Sequence, residues 1–264
     1  MSTMSHGRFA RTTALAWVCV LSSAAAMCAA EIKVVTSLTF AAAYLELAHE
    51  YERVTQHKLV MESGSSLGTT PDAIPMRFAR GETFDVVIMA AAGLDLLIKD
   101  GKVRVGSRVD LAQSSIAMAV KAGAPKPDIR TVEALRRTLL AAKSIAHSDR
   151  ASGVYLSTEL FPRLGIASQI AGKTRKIEAR PVGEVIANGD FEIGFQQISE
   201  LRPVKGIDIV GELPPGAQRI TIFAAGIPAT SQHPAEAKSL IEWLASAAAY
   251  PAIEKSGLKP AKSK

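Results

Sequence analysis

Short clusters of hydroxyl side chains beside glycines are the part of this sequence best suited to chemistry. Segment 64–70 reads Gly-Ser-Ser-Leu-Gly-Thr-Thr, and it places Ser65 and Ser66 directly after the first glycine. Glycine lets a backbone approach a ligand closely, and hydroxyls with free N–H groups at the start of a helix suit an anion. We therefore expect Ser65 and Ser66 to contact an anionic ligand, although an ordinary turn that caps a helix would use the same residue types.

Two later segments repeat this pattern. Segment 148–155 contains Arg150 and Ser152, and segment 195–199 is a polar strand end that contains Gln197. Arg150 could form a bidentate pair with a carboxylate ligand, or it could be a solvated arginine beside Asp149. Ser152 could cap a helix or bind the ligand, and the Gln197 amide offers both donors and an acceptor.

A serine hydrolase is an alternative interpretation of segment 64–68, because Gly64-Ser65-Ser66-Leu67-Gly68 matches the Gly-x-Ser-x-Gly elbow of such enzymes. Ser66 would then be the nucleophile, and it would need an acid and a histidine further along the chain. The available residues are His147 and His233, with Asp190 or Asp208 before His233. The motif follows only the second predicted strand and no His-Gly-Gly segment precedes it, so we expect capture of an anion rather than catalysis.

Charge and composition narrow the class of protein. The chain carries 31 basic and 25 acidic residues, and only 5% of its residues are aromatic. Because the basic residues are scattered, nucleic-acid binding has little support. The histidines are dispersed without metal-ligand spacing, so we expect neither a metal nor another cofactor.

The N-terminus has the features of a secretory signal. Arg8 and Arg11 precede an apolar stretch over 14–27 that ends in small residues. We expect residues 1–30 to be a signal peptide, cleaved near Ala30, and the mature protein to be periplasmic. Both cysteines, Cys19 and Cys28, lie in this segment, so the mature chain would have neither a disulfide nor a thiolate metal site.

The elements that must position these residues alternate between short β-branched runs and helical stretches. Apolar residues at spacings of three and four between Phe40 and Tyr51 predict a helix with one buried face. We predict strands over 32–35, 58–61, 84–89, 114–121, 144–146, 178–180, 192–196, 207–210 and 218–225, and helices over 40–54, 70–80, 132–140, 152–164, 182–187 and 234–248. This alternation predicts α/β architecture with covered, mixed sheets.

Long predicted strands on either side of the middle third indicate that the chain leaves one lobe and later returns to it. We predict a discontinuous lobe I over 31–116 plus 224–264 and a lobe II over 117–223. The ligand would lie in the cleft between the lobes.

The arrangement resembles the periplasmic molybdate-binding proteins and related type II solute-binding proteins over the whole mature chain. The segments that carry this resemblance are 34–39 (Val-Val-Thr-Ser-Leu-Thr), 64–66 (Gly-Ser-Ser), 81–88 (Gly-Glu-Thr-Phe-Asp-Val-Val-Ile), 151–155 (Ala-Ser-Gly-Val-Tyr) and 192–195 (Glu-Ile-Gly-Phe). The resemblance implies a type II two-lobed fold with helices on both faces of each sheet. It also implies a monomer that is not an enzyme and that delivers its anion to the membrane permease of an ABC importer.

Members of that family hold an oxyanion with hydroxyls and backbone N–H groups. By resemblance, the ligand contacts here are Thr39 (Ser37 if the register shifts), Ser65, Ser152 and Val182. Gln197 takes the place of the last family ligand, a tyrosine, and Thr39 takes the place of a serine. A molybdate-like oxyanion is therefore the favoured ligand, and a small di- or tricarboxylate held by Arg150, Arg80 or Arg180 is the alternative.

Overall fold

The structure is a computed structural model that describes residues 1–2, 29–178 and 180–261. Most of the predicted signal peptide, including Cys19 and Cys28, lies outside these residues. In the described part of the chain, no helix is both long enough and apolar enough to cross a membrane.

The strands of the described residues form two mixed sheets. They are β1 Glu31–Ser37, β2 Lys58–Gly64, β3 Val86–Ala90, β4 Val109–Ser114, β5 Ile116–Lys121, β6 Ile145–Ser148, β7 Thr174–Ile177, β8 Ile193–Gln197, β9 Ile207–Glu212, β10 Thr221–Gly226 and β11 Lys259–Pro260. The first sheet has the order β11-β4-β10-β3-β1-β2, and the second has the order β7-β6-β8-β5-β9. The β3-β1-β2 and β7-β6-β8 neighbours are parallel, and the remaining pairs are antiparallel.

Helices connect most of these strands. They are α1 Leu38–Thr55, α2 Ile74–Ala79, α3 Ala91–Lys99, α4 Val132–Ala141, α5 Ala151–Tyr155, α6 Phe161–Arg163, α7 Ala167–Ile170, α8 Val182–Asn188, α9 Ile198–Leu201, α10 Pro234–Ala245 and α11 Tyr250–Lys255. A π-helical turn over Leu156–Leu160 joins α5 to α6. On α1, Phe40, Tyr44, Leu47 and Tyr51 are buried, which confirms the face predicted from their spacing.

Each sheet has buried cores on both faces. In the first sheet, Phe40 and Leu240 belong to the core on one face, and Ile74 belongs to the core on the other. In the second sheet, Leu135 and Val182 lie in separate clusters in the same way. Burying a large aliphatic or aromatic side chain stabilises the fold by about 1.5–3 kcal/mol. The predicted α/β architecture with helices covering both faces is thereby confirmed.

The predicted helix over 70–80 begins too early, because α2 starts at Ile74. Residues 70–73 instead form a turn that is closed by a hydrogen bond from Ala73 N to Thr70 O, at 2.9 Å. Pro71 occupies the second position of this turn, where its fixed φ is favourable, and Pro75 lies at the start of the helix, where its missing N–H costs nothing. Residues 64–70, which carry the cluster of hydroxyl groups, therefore do not lie at the start of a helix.

Other predicted boundaries also change. The single strand predicted over 114–121 is divided at Ser115 into β4 and β5, which belong to different sheets. The short strand predicted over 178–180 lies earlier, at β7. The helix predicted over 234–248 ends at Ala245, and Pro251 lies at the start of α11.

The strand bounds differ from the predicted limits of the two lobes. Ile116 begins β5 in the second sheet although the prediction gave it to lobe I, and β10 of the first sheet begins at Thr221 rather than near residue 224. The chain crosses between the sheets at Ser115 and again over 213–220.

Candidate functional site

The carboxyl ends of the parallel strands of both sheets meet at one cavity. Ser37 and Gly64 end β1 and β2 in the first sheet, and Gln197 ends β8 in the second. In open α/β sheets, ligands bind beyond the carboxyl ends of the strands. The lining of the cavity consists of Ser37, Leu38, Thr39, Gly64, Ser66, Ala90, Arg150, Ala151, Ser152, Gln197, Glu200 and Phe223.

Six of the eight site residues expected from the sequence come together in this lining. They are Ser37, Thr39, Ser66, Arg150, Ser152 and Gln197. Ser65 and Val182 are not in it, and the donors expected of them are used inside the protein. The Ser65 hydroxyl donates to Leu67 O at 2.6 Å, and Val182 N donates to Gln196 Oε1 at 2.9 Å.

Ser66 and Ser37 are the hydroxyls of the first sheet that are best placed for an anion. Ser66 Oγ accepts a hydrogen bond from Ala90 N at 3.0 Å and donates to none of the described residues, so it can donate its proton to a ligand. Ser37 Oγ is buried and has no hydrogen-bond partner among the described residues. A Cβ on Gly64 would lie 2.2 Å from Asp72 O, so the close approach of this loop requires glycine.

The hydrolase interpretation has no support in this geometry. Among the described residues, the lining of the cavity contains no histidine and Ser66 forms no hydrogen bond to one. His147 Nδ1 lies 2.9 Å from Ser148 O. The backbone N–H of His233 donates to Asp85. Ser66 therefore lacks the general base that a serine nucleophile requires.

Arg150 and Ser152 approach the cavity from the second sheet. The Arg150 side chain is 20% exposed, and its Nη1 lies 3.7 Å from Glu200 Oε2. Ser152 Oγ lies 2.9 Å from Ser148 Oγ. A Cβ on Gly153 would lie 1.6 Å from Ser148 O, so glycine is needed for α5 to pack this closely against the end of β6.

Glu200, on α9, is a residue of the lining that the sequence analysis missed. Its Oε1 accepts a hydrogen bond from Thr39 Oγ1 at 2.6 Å, which connects α9 to α1 across the cavity. Its Oε2 accepts from Gln196 Nε2 at 2.5 Å. Only 8% of the side chain is exposed. A weak signal for this residue was present, because Glu200 follows the polar strand end at Gln197 by less than one helical turn.

Burial raises the pKa of Glu200 above its ordinary value, against the lowering effects of Arg150 and of the hydrogen bonds from Thr39 and Gln196. Desolvation disfavours the charged form of a carboxyl, which is the cause of this direction. A carboxyl with a raised pKa is a stronger base than an ordinary glutamate. The cavity therefore combines anion donors with a group able to transfer a proton.

The chain belongs to the bacterial extracellular solute-binding protein family, whose model matches residues 32–259. It is 52% identical over 215 residues to a protein named aconitate isomerase from a Pseudomonas species. The aligned region covers 81% of this chain and 82% of that protein. The class of protein inferred from the sequence, a solute-binding protein, is thus confirmed.

Solved structures show the same fold. A periplasmic molybdate-binding protein from Azotobacter vinelandii has a TM-score of 0.69 and 23% identity, with 88% of this chain and 100% of that chain covered. A sulfate-binding protein from Mycobacterium tuberculosis also has a TM-score of 0.69, with 18% identity and 88% of each chain covered. At these identities the likeness concerns the fold alone.

One expectation from the sequence is overturned. The chain was expected not to be an enzyme, and its similarity at 52% identity to a protein with an enzyme name contradicts this. The expectation rested on hydroxyl and amide groups, and it did not include the buried carboxyl of Glu200 in the same cavity. Molybdate specificity is not confirmed either, because the name of this relative refers to a tricarboxylate.

Proposed function

We propose that this protein binds a small unsaturated tricarboxylate and isomerises it, with aconitate as the substrate. The observation that carries the proposal is the presence of Arg150 and Glu200 in one cavity otherwise lined with hydroxyl, amide and apolar groups. A guanidinium binds a carboxylate through two parallel hydrogen bonds, and a carboxyl with a raised pKa can transfer a proton. The relative named aconitate isomerase supports the identity of the substrate.

Arg150 is the group that favours a carboxylate over an inorganic oxyanion. Its partly buried guanidinium has no hydrogen bond shorter than 3.5 Å to an acidic side chain among the described residues, since Asp149 lies at 3.8 Å and Glu200 at 3.7 Å. The hydroxyls of Ser37 and Ser66 face the same cavity from the first sheet. A substrate with several carboxylates would thus be held by both sheets at once.

The reaction can be tested with the purified protein and both isomers of aconitate. Incubation with cis-aconitate and, separately, with trans-aconitate is followed by proton NMR. We expect the two reactions to converge on the same mixture, because a catalyst speeds the approach to equilibrium from either side. If both isomers persist unchanged while the protein remains folded, the isomerase proposal is wrong.

Arg150→Gln tests the carboxylate anchor. We expect the affinity for aconitate, measured by titration calorimetry, to fall roughly 10- to 100-fold, because a hydrogen bond to a charged group contributes about 1.5–3 kcal/mol. Arg180→Gln is the matched control, since Arg180 is exposed and pairs with Glu184 at 3.8 Å outside the cavity. Equal affinities for the two variants would contradict the role of Arg150.

Export is part of the same proposal. The family supports a location outside the cytoplasm, and we propose a periplasmic protein whose signal peptide is cleaved near Ala30. Mass spectrometry of the protein secreted from its bacterial host would give the N-terminal residue. Delivery of the ligand to the membrane permease of an ABC transporter and the monomeric state remain predictions.

A further inference from the structure

The chemistry of aconitate sets a requirement that the cavity must meet. Its methylene lies beside one carboxylate and next to the double bond, so loss of a proton gives an allylic carbanion spread over three carbons. Return of a proton to the opposite end moves the double bond, and the conformation of the bound substrate decides whether the new bond is cis or trans. Atoms and charges balance with one proton removed and one returned, and no oxidant or reductant is needed. A single base that reaches both ends of the allylic system is sufficient for both steps.

Glu200 is the group in the cavity that fits this requirement. Among the described residues of the lining, the titratable side chains are Arg150 and Glu200. An arginine does not lose its proton in a protein, so it cannot be the base. The serine and threonine hydroxyls of the lining have no histidine to activate them.

The surroundings of Glu200 hold its carboxylate in one place. Thr39 donates to one oxygen and Gln196 to the other, at 2.6 and 2.5 Å. Gln196 is itself fixed, because its Oε1 accepts from Val182 N at 2.9 Å. A base that is held on both sides keeps its orientation towards the substrate, as proton transfer requires.

Arg150 completes the arrangement. Its guanidinium lies 3.7 Å from the Glu200 carboxylate, so a substrate carboxylate on Arg150 would place the adjoining methylene beside Glu200. As the proton leaves, negative charge moves onto that carboxylate, where the guanidinium stabilises it.

We infer that Glu200 is the catalytic residue that removes the methylene proton of the substrate and returns it to the other end of the allylic system. This inference rests on the proposed function. Thr39 and Gln196 are positioning residues, which act through the orientation of Glu200.

The test compares Glu200→Gln and Glu200→Asp with the unaltered protein. We expect Glu200→Gln to lower kcat for aconitate by about 100-fold or more, as loss of a general base does. Its affinity for aconitate, measured by calorimetry, should stay within a few-fold, because the anchor at Arg150 is intact. Glu200→Asp keeps a carboxylate and should recover part of kcat. Thermal unfolding confirms that each variant is folded, and Glu200→Asp serves alone if Glu200→Gln does not fold.

The pH dependence separates a catalytic role from a structural one. For the unaltered protein, kcat should fall as pH falls through a pKa above the ordinary value of a glutamate, because the base is then protonated. The residual activity of Glu200→Gln should lack this decline.

The outcomes distinguish the inference from the proposed function. If the unaltered protein does not isomerise aconitate, the proposed function fails and the inference fails with it. If the unaltered protein is active and folded Glu200→Gln retains kcat within tenfold, the inference is wrong while the function stands. A Glu200→Gln variant that keeps kcat and loses only affinity would likewise overturn it, since Glu200 would then serve binding alone.

Discussion

Asp85 and Glu200 are both buried carboxylates, yet their surroundings shift their pKa values in opposite directions. Asp85 immediately precedes β3 of the first sheet, does not line the cavity, and is 4% exposed. Burial raises its pKa, but hydrogen bonds from Lys33 N, the Ser231 hydroxyl, His233 N and Gln232 N outweigh this, and the net direction is downward. For Glu200, the effect of burial is larger than the lowering effects of Arg150, Thr39 and Gln196, and its pKa is raised.

The number of fixed donors explains the difference. Asp85 receives four hydrogen bonds of 2.9–3.1 Å, three of them from backbone N–H groups that cannot turn away. Glu200 receives two, both from side chains, and its cationic neighbour lies 3.7 Å away. A carboxylate with all its lone pairs satisfied stays ionised and serves structure, whereas one with fewer donors remains available for proton transfer. The comparison thus predicts that Asp85 stabilises the fold and Glu200 supports the reaction.

Asp85→Ala should cause the largest loss of stability. Removing the carboxylate leaves three N–H groups and a hydroxyl without their partner, and each unsatisfied buried group costs about 1–3 kcal/mol. We expect the free energy of unfolding, measured with urea, to fall by roughly 3 kcal/mol or more. Asp95→Ala is the control, because Asp95 is half exposed and pairs with Arg108 at the surface. A loss no larger than that of the control would contradict the structural role of Asp85.

The two carboxylates should also give opposite dependences of stability on pH. The pKa of Asp85 is lowered in the folded protein, so its stabilisation is present above the unfolded value of 3.8 and is lost as pH falls through the folded pKa. The pKa of Glu200 is raised, so its contribution is present below the unfolded value of 4.5 and is lost as pH rises through the folded pKa.

Urea unfolding at a series of pH values would show this difference. Asp85→Asn should reduce the loss of stability at acidic pH, and Glu200→Gln should reduce the decline that begins above pH 4.5. Identical pH profiles for both variants and the unaltered protein would show that neither pKa is shifted.

Much of the fold could be predicted from the sequence, because the spacing of apolar residues indicates which face of a helix or strand is buried. The spacing of Phe40, Tyr44 and Leu47 predicted α1. The hydroxyl clusters predicted Ser66 and Ser152 of the cavity, and the family resemblance predicted Ser37 and Thr39. The prediction over 70–80 was wrong because Pro71 suits the second position of a turn as well as the start of a helix.

The site was harder to predict than the fold. Glu200 accepts a hydrogen bond from Thr39, which lies 161 positions away in the chain. No local sequence pattern predicts a contact between residues so far apart. Hydroxyl clusters can be seen locally, so they were found, and they favoured a binding protein over an enzyme. Burial, which raises the pKa of Glu200, is a property of the folded chain alone.

Asp149→Asn should have the smallest effect, and it tests how neighbouring charges set the pKa of Glu200. Asp149 is one of the negative charges that raise the pKa of Glu200, and it lies 3.8 Å from Arg150. Its removal should shift the acidic limb of the kcat profile to lower pH while maximal kcat is retained. Glu184→Gln, which alters an exposed carboxylate paired with Arg180, should leave the limb in place. A shift to higher pH with Asp149→Asn would contradict this electrostatic account.

The most direct test of the role of Glu200 is the turnover of aconitate per folded molecule for the unaltered protein, Glu200→Gln and Asp85→Asn, measured side by side at a temperature where all three are folded. We expect Glu200→Gln to lose about 100-fold or more in kcat and Asp85→Asn, although less stable, to keep the kcat of the unaltered protein. Retention of kcat by Glu200→Gln, or an equal loss in both variants, would contradict this role.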